Sequence, residues 1–329
     1  MNIWQNYTED EKLVMLQQTA DTKNILEQAV EKDWWVCAVL MALSKSSLSD
    51  FLQFKGGTSL SKAWGLINRF SEDIDLTISR SFFNLPDDTS QQQTIIRRKA
   101  FHYVKETLIE QLSDILKENG VKDFEIRFIT ENSSAMVATV EVRYKSILVT
   151  MIDYILPVVK IEFSVMSLDE PYQKKEITTL IHSIFPDVDN GIECTFKSVL
   201  PERTFLEKIF LLHEEYQKEK PRTTRMSRHL YDLDKMMNFL TAESALQNTD
   251  LYKTILNHRQ KFNNIRGVDY RTHYPAFIQI VPPENLISAW KEDYERLKQS
   301  FIYEDAKKTF DEIIERLYEL TERIRKINL

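Results

Sequence analysis

The sequence predicts an α+β protein, with strands and helices intermixed over residues 1–200 and helices alone over 201–329. Three observations predict it. Short apolar runs of period two recur through the first half and end before Pro201, where helical periodicity takes over. The chain has only six glycines, and two of them, Gly56 and Gly57, adjoin just ahead of a helical stretch. Beyond that helix the run Ser71-Glu72-Asp73-Ile74-Asp75-Leu76 sets two carboxylates two residues apart in a strand-like pattern, so both face the same side of a sheet.

In chain order, residues 9–31 read as a helix with Leu13, Leu16 and Ala20 at helical spacing, and Lys32-Asp33-Trp34-Trp35-Val36 opens a second, more apolar helix to about Leu43. The tryptophan pair is most simply core. A polar turn at 46–50 leads to a short strand at 51–54 and then the glycine pair. From Thr58 the pattern is helical, with Leu60, Ala63, Trp64 and Ile67 on one side and Thr58 or Ser59 placed as N-cap. A strand is expected over 74–78, a polar loop over 84–93, and a long helix from 94 to 118 ending at Gly120. Strands are expected at 123–129, 136–144, 147–153, 158–165 and 193–199, with a short helix at 176–184. After Pro201, helices are expected at about 202–217, 227–240, 247–263, 285–298 and 305–327. The last carries Phe310, Ile313, Ile314, Leu317, Leu320, Ile324 and Ile327 as one apolar stripe. The shift near 200 marks the boundary between a core domain with N-terminal helices, 1–200, and a helical C-terminal domain, 201–329.

The chemistry concentrates around 54–79. A bare backbone at Gly56-Gly57, followed by Thr58, Ser59 and Lys62 on an opening helix, suits close approach of an anion such as a phosphate. Asp73 and Asp75 supply the hard oxygen ligands that magnesium prefers. Together these point to a magnesium–nucleotide site. Nucleotidyl transfer, an in-line displacement at phosphorus, needs the triphosphate charge neutralised, commonly by two metal ions. A third acid on a neighbouring strand would complete the set, and Glu162, inside the apolar run 158–165, is the candidate. A lone glutamate there is costly unless paired or metal-bound; alternatively it lies on an exposed face of an edge strand with Lys160 and Ser164. Lys208 has Thr204, Phe205, Leu211 and Leu212 as its helical neighbours, so it either snorkels to solvent or is aimed at an anion. Asp232 follows Arg228 and His229, which gives either an intrahelical salt bridge or a polar corner facing the site.

Composition excludes several classes. Hydrophobic content of 43% and charged content of 28% belong to a soluble globular protein. No apolar run is long enough for a membrane span, and the polar first 30 residues do not read as a signal peptide. The two cysteines, Cys37 and Cys194, sit in apolar surroundings and suggest reduced, buried thiols in a cytoplasmic protein. A net charge of −7 argues against a sequence-independent polyanion binder while leaving room for local basic patches. Those patches are Arg97-Arg98-Lys99, the loop group Lys218, Lys220, Arg222, Arg225 and Arg228, and Arg323, Arg325 and Lys326. Each is more simply a solvated face, and the loop group is the best of them. No zinc spacing, Walker A, dinucleotide fingerprint or serine-hydrolase elbow is present.

The glycine pair, Thr58-Ser59, the helix and the Asp73-Ile74-Asp75 strand resemble the first motif of DNA polymerase β-like nucleotidyltransferases. More narrowly, the chain resembles the AbiEii/AbiGii toxin family, the toxin half of type IV toxin–antitoxin and abortive-infection modules. The resemblance rests on five runs in the same order across about 32–235: Lys32 to Val36, Phe54 to Lys62, Arg69 to Leu76, Glu202 to Lys208, and Arg228 to Leu233. Leu206 stands where the family often has Trp.

The resemblance implies a nucleotidyltransferase-like mixed sheet flanked by helices, followed by a helical domain that completes the active-site cleft. It implies that Gly57 and Ser59 hold the triphosphate, that Asp73 and Asp75 bind Mg²⁺, and that Glu162 is the third acid, binding metal or helping deprotonate the acceptor. Lys208 is implied toward the phosphates, with Asp232 catalytic in a role left open. The expected activity is Mg²⁺-dependent transfer of NMP from an NTP to a macromolecular hydroxyl, foremost the tRNA 3′ end, blocking translation and growth, with a cognate AbiEi-like antitoxin as partner and no membrane. Modification of a protein hydroxyl, or a non-catalytic GTP- or NTP-binding toxin that sequesters a partner, are the alternatives.

Overall fold

Sixteen consecutive residues of one helix, Gln28 through Leu43, are buried, and the first half of the chain is built around them. From Trp34 to Leu43 that helix is apolar all round and has to be enclosed, and here the enclosing elements are a sheet and the helices around it. The computed structural model describes residues 2–84, 90–133, 135–149, 155–165, 170–263 and 265–329. They divide into two units: Met1–Gly65 with Phe70–Val199, and Leu66–Arg69 with Leu200–Leu329.

In the first unit, α1 (Glu9–Lys23) opens on a capping box between Thr8 and Glu11 and ends at Asn24, whose φ of 53° is left-handed. Asparagine tolerates that conformation and stops the helix, so the helix expected over 9–31 ends early and α2 (Glu27–Ser44) begins sooner than expected. Trp35 of α2 stacks on Tyr144 at a centroid distance of 4.7 Å, and the Trp34 indole N–H donates to Asp189 Oδ1 at 2.9 Å. Then come β1 (Leu52–Lys55), α3 (Gly56–Lys62), β2 (Asp73–Ile78), α4 (Ser90–Tyr103) and α5 (Ile109–Glu118). A π-helical turn, Val104–Leu108, joins α4 to α5. Next are β3 (Phe124–Phe128), β4 (Val137–Tyr144), β5 (Val158–Ser164), β6 (Tyr172–Ile177) and β7 (Cys194–Val199).

The seven strands form one mixed sheet in the order β3-β4-β5-β2-β1-β7-β6. β2 pairs parallel with β5 and antiparallel with β1, so the strand bearing Asp73 and Asp75 lies near the middle of the sheet. Alternate residues of β2 and β5, Ile74, Leu76, Ile161 and Phe163, are buried in the core. Two expectations about strands differ from the structure. Residues 172–177 form an edge strand that the sequence reading does not include, because the charged run Lys174-Lys175-Glu176 hides the alternation and such charges are common on exposed edges, and 180–184 form turns in place of the helix expected over 176–184. The strand expected at 147–153 is not formed by residues 147–149, and 150–153 lie outside the described residues.

The second unit comprises α6 (Pro201–Tyr216), α7 (Ser227–Met236), α8 (Leu240–Gln247), α9 (Thr249–Phe262), α10 (Ile287–Ser300) and α11 (Phe310–Arg325). The helix expected over 247–263 begins at Thr249, because Asn248 caps α9 through its side chain and closes α8. The stripe on α11 is buried from Phe310 to Ile324 as expected. The helix expected to run from Thr58 through Ile67 stops at Lys62 instead. Residues Leu66–Arg69 belong to the helical unit, where Arg69 bridges to Ile302 and the Tyr303 N–H donates to the Asn68 carbonyl at 3.1 Å. Among the described residues no helix is long and apolar enough to cross a membrane.

Candidate active site

Strand register brings the acids together. Asp75 on β2 lies directly beside Glu162 on β5 and opposite Lys55 on β1, while Asp73 lies beside Lys160. Neighbouring strands are about 4.8 Å apart and side chains two residues apart share a face, so Asp73, Asp75, Lys160 and Glu162 form one charged patch on one side of the sheet. All four are only partly buried. Glu162 is therefore not on an edge strand: β4 and β2 flank it.

The patch also holds a cation. The Lys160 ammonium contacts Glu162 Oε1. Burial opposes its charge, but the hydrogen bond to Glu162 and the charges of Glu162, Asp73 and Asp75 outweigh burial and raise its pKa above the ordinary lysine value. An ammonium that feels three carboxylates occupies the electrostatic position a bound cation would take. Among the described residues no three His, Cys, Asp or Glu side chains already converge as a ready-made metal site. The donor chemistry nevertheless fits a hard divalent ion: carboxylate oxygens on adjacent central strands, with a displaceable charge among them.

The glycine pair meets these acids directly. Gly56 has φ +78°, and a Cβ built on it would lie 2.0 Å from Asp75 Oδ2. The bare Cα is thus required twice, by the backbone and by the carboxylate packed against it. Gly57 follows in the first turn of α3. Thr58 does not cap the helix as expected. Its hydroxyl instead donates to the Asp73 carbonyl and lies within hydrogen-bond distance, 3.0 Å, of Ser71 Oγ, tying α3 to the start of β2. The Ser59 hydroxyl is buried and has no hydrogen-bond partner among the described residues, an unmet polar group of the kind a phosphate oxygen satisfies.

Lys62 is committed elsewhere. Its Nζ lies 2.7 Å from Asp33 Oδ1, and this carboxylate outweighs burial to raise the lysine pKa. Asp33 also accepts the Leu180 N–H at 2.8 Å. Its neighbour Lys32 pairs with Glu72, 2.5 Å away, with both side chains buried. The Lys32-Asp33 step of α2 therefore holds both flanks of the motif, the end of α3 and the residue preceding Asp73. These two residues stood in the motif list without a role, and only the folded contacts supply one.

In the helical unit, Asp232 is fully buried. It accepts Arg69 in a bidentate pair, Nε to Oδ1 at 2.7 Å and Nη2 to Oδ2 at 2.8 Å, and Lys208 Nζ at 2.8 Å. Burial works against its charge, but Arg69 and then Lys208 overcome it and hold the carboxyl well below the ordinary aspartate range. One carboxylate shared by two cations leaves an excess of positive charge. Burial together with Arg69 and Arg228 accordingly lowers the Lys208 pKa despite Asp232. Arg69, absent from the expected site residues, is the principal partner of Asp232. The neighbours expected from helical spacing, Arg228 and His229, are secondary. In the basic loop, Lys218 and Arg222 are both bound to buried Glu215 at 2.7 Å. The Arg225 N–H is held at 2.5 Å by Asp293, which also accepts the Ser227 N–H and hydroxyl.

A mixed sheet with aligned carboxylates on its central strands, beside a glycine-led turn into a helix, defines a nucleotidyltransferase. The family model described as "Nucleotidyl transferase AbiEii toxin, Type IV TA system" matches residues 38–316. The match covers most of the chain, and the protein belongs to that family. It is a nucleotidyltransferase enzyme and a toxin of a type IV toxin–antitoxin system, a class whose chemistry draws on a nucleoside triphosphate and a divalent metal ion and which implies an antitoxin partner. No curated protein sequence matches the chain.

Proposed function

We propose that the protein transfers a nucleoside monophosphate from an NTP to the 3′-terminal hydroxyl of tRNA, with Mg²⁺ as its cofactor, and arrests translation and growth by doing so. The observation that carries this reading is the register that sets Asp75 beside Glu162, with Asp73 on the same face and Gly56 pressed against Asp75. Pure nucleotide binding has no need of three acids on one face.

In this reading Asp73, Asp75 and Glu162 would hold Mg²⁺, in a two-ion site, and the ions would supply charge neutralisation at the triphosphate. Gly56, Gly57 and Ser59 take the phosphates. The acceptor oxygen attacks the α-phosphorus, the bond from that phosphorus to the bridging oxygen breaks, and pyrophosphate leaves. The hydroxyl proton passes to a carboxylate of the patch, with Glu162 placed for it. Within the helical unit Asp232 orients Lys208 and is a positioning residue that does not touch substrate. Lys62, bound to Asp33, serves the fold.

The test is incubation with each α-³²P-labelled NTP, Mg²⁺ and total RNA. Label should enter RNA in the tRNA size range; label confined to protein would replace the acceptor. Asp73→Ala combined with Asp75→Ala should abolish NTP consumption and growth arrest while leaving the melting curve unchanged. Growth arrest that survives this double substitution overturns the catalytic reading.

A further inference from the structure

An open groove of about 630 Å³ lies in the sheet unit, outside the acid patch, between the turn after β2 and the helix that carries Arg97-Arg98-Lys99. Its floor is aromatic. Phe82 packs edge-on against Phe83 at 5.0 Å and against Tyr103 at 4.8 Å between centroids. Ile95, 46% exposed, extends the apolar wall. Its rim is cationic: Arg98 and Lys99 line it, are exposed, and have no ion-pair partner among the described residues. α4 contains no acidic residue, and Glu106, the one acid in the lining, faces His102 at 3.0 Å. The π-helical turn at Val104–Leu108 borders the groove through Glu106 and Thr107, and such turns recur at functional sites.

An aromatic floor with a cationic rim is the combination that binds single-stranded nucleic acid, the rings stacking on bases and the cations following phosphates. In a chain of net charge −7 it is a local reversal of sign. In the loop group Lys218 and Arg222 are both held by the one Glu215 carboxylate, whereas Arg98 and Lys99 have no ion-pair partner among the described residues. The Arg80–Phe83 turn follows the Asp73–Ile78 strand, at the end of the strand away from Asp73. We propose that this groove docks a single-stranded segment of the RNA acceptor, with Phe83 stacking on a base and Arg98 and Lys99 on the backbone. The inference rests on the RNA-acceptor reading above for its biological occupant.

The test is fluorescence anisotropy of full-length protein with fluorescein-labelled single-stranded oligoadenylate across a salt series, with a blunt RNA duplex as control. Phe83→Ala should weaken single-strand binding roughly five- to a hundredfold. Arg98→Gln with Lys99→Gln, both on the surface and safe for folding, should lower the slope of log K against log salt by roughly 1.4. Variants that bind with wild-type affinity and slope, or wild-type protein that does not bind the oligonucleotide, overturn the assignment. Loss of antitoxin binding with unchanged RNA binding overturns it in favour of a protein partner. The two readings fail separately. If wild type labels RNA while the groove variants bind and react normally, the groove falls and the acceptor stands. If wild type labels only protein while the groove variants lose RNA affinity, the acceptor falls and the groove stands.

Discussion

Asp232→Asn should unfold the helical unit more readily rather than simply silence the enzyme. The carboxylate is fully buried and its two cations, Arg69 and Lys208, are 4% and 7% exposed at their side chains. The asparagine retains the shape and removes the carboxylate that both cations share. Breaking one buried ion pair from one side costs about 3–5 kcal/mol, and a carboxylate serving two cations belongs at the upper end. At roughly 2–4 °C per kcal/mol, the unit's melting point should fall by roughly 10–20 °C. Hydrogen exchange of the α6 and α7 amides, read beside thermal scanning, localises the loss. Arg69→Met, Lys208→Met and Asp232→Leu combined should recover much of the stability, because a matched apolar set avoids the buried charges altogether. The reasoning is refuted if Asp232→Asn lies within about 1 kcal/mol of wild type yet loses activity; Asp232 would then act on the reaction itself.

Three further outcomes are expected. Gly56→Ala places a Cβ 2.0 Å from Asp75 Oδ2 at a φ of +78°; the strain costs about 1–3 kcal/mol, and displacement of the carboxylate should weaken Mn²⁺ binding in an electron-paramagnetic-resonance titration. Lys160→Met removes the ammonium that competes for Glu162, so the same titration should show tighter Mn²⁺ binding, and unchanged affinity would deny Lys160 that competing position. His213 is pushed down from 6.5 to about 4 by burial and then by His273, and its Nδ1 accepts the Gln279 N–H, which fixes the neutral form. The unfolded chain protonates this histidine first as pH falls from 6.5 toward 4, so native stability is lost over that window, by about 3 kcal/mol at most. Urea midpoints of His213→Gln should show a flatter dependence there than wild type.

The acid patch was legible in the sequence because its information is local: period-two spacing put Asp73 and Asp75 on one face, and an acid in an apolar run singled out Glu162. The glycine pair was legible for the same reason. What escaped were partners with no local signature. Lys32 and Glu72 are 40 positions apart, and Arg69 and Asp232 are 163 apart. Helical spacing offered Asp232 the neighbours Arg228 and His229, and tertiary packing supplied Arg69 and Lys208 instead. The edge strand Tyr172–Ile177 escaped because its lysines and glutamate, tolerated on an exposed edge, obscure the alternation that marks a strand. In the basic loop Glu215 holds the Lys218 and Arg222 side chains, and Asp293, a partner with no local signature either, holds the Arg225 N–H.

These contacts alter how the family-like runs should be interpreted when mutated. Lys32, Asp33, Lys62, Arg69, Lys208 and Asp232 all sit in those runs, and all are largely buried in ion pairs internal to one unit. Removing Lys32, Asp33, Lys62 or Asp232 strands a buried charge and removing Arg69 or Lys208 breaks a buried ion pair, so a loss of growth arrest at these positions follows from the fold alone and does not establish a chemical role. Asp73, Asp75 and Glu162 differ in kind: they are partly exposed on central strands, where the sheet itself fixes their backbone. A substitution there that silences the toxin without moving the melting curve locates the chemistry. The ratio of activity loss to stability loss therefore separates the reacting face from the buried ion pairs of each unit, even though both classes of residue share the same sequence motifs.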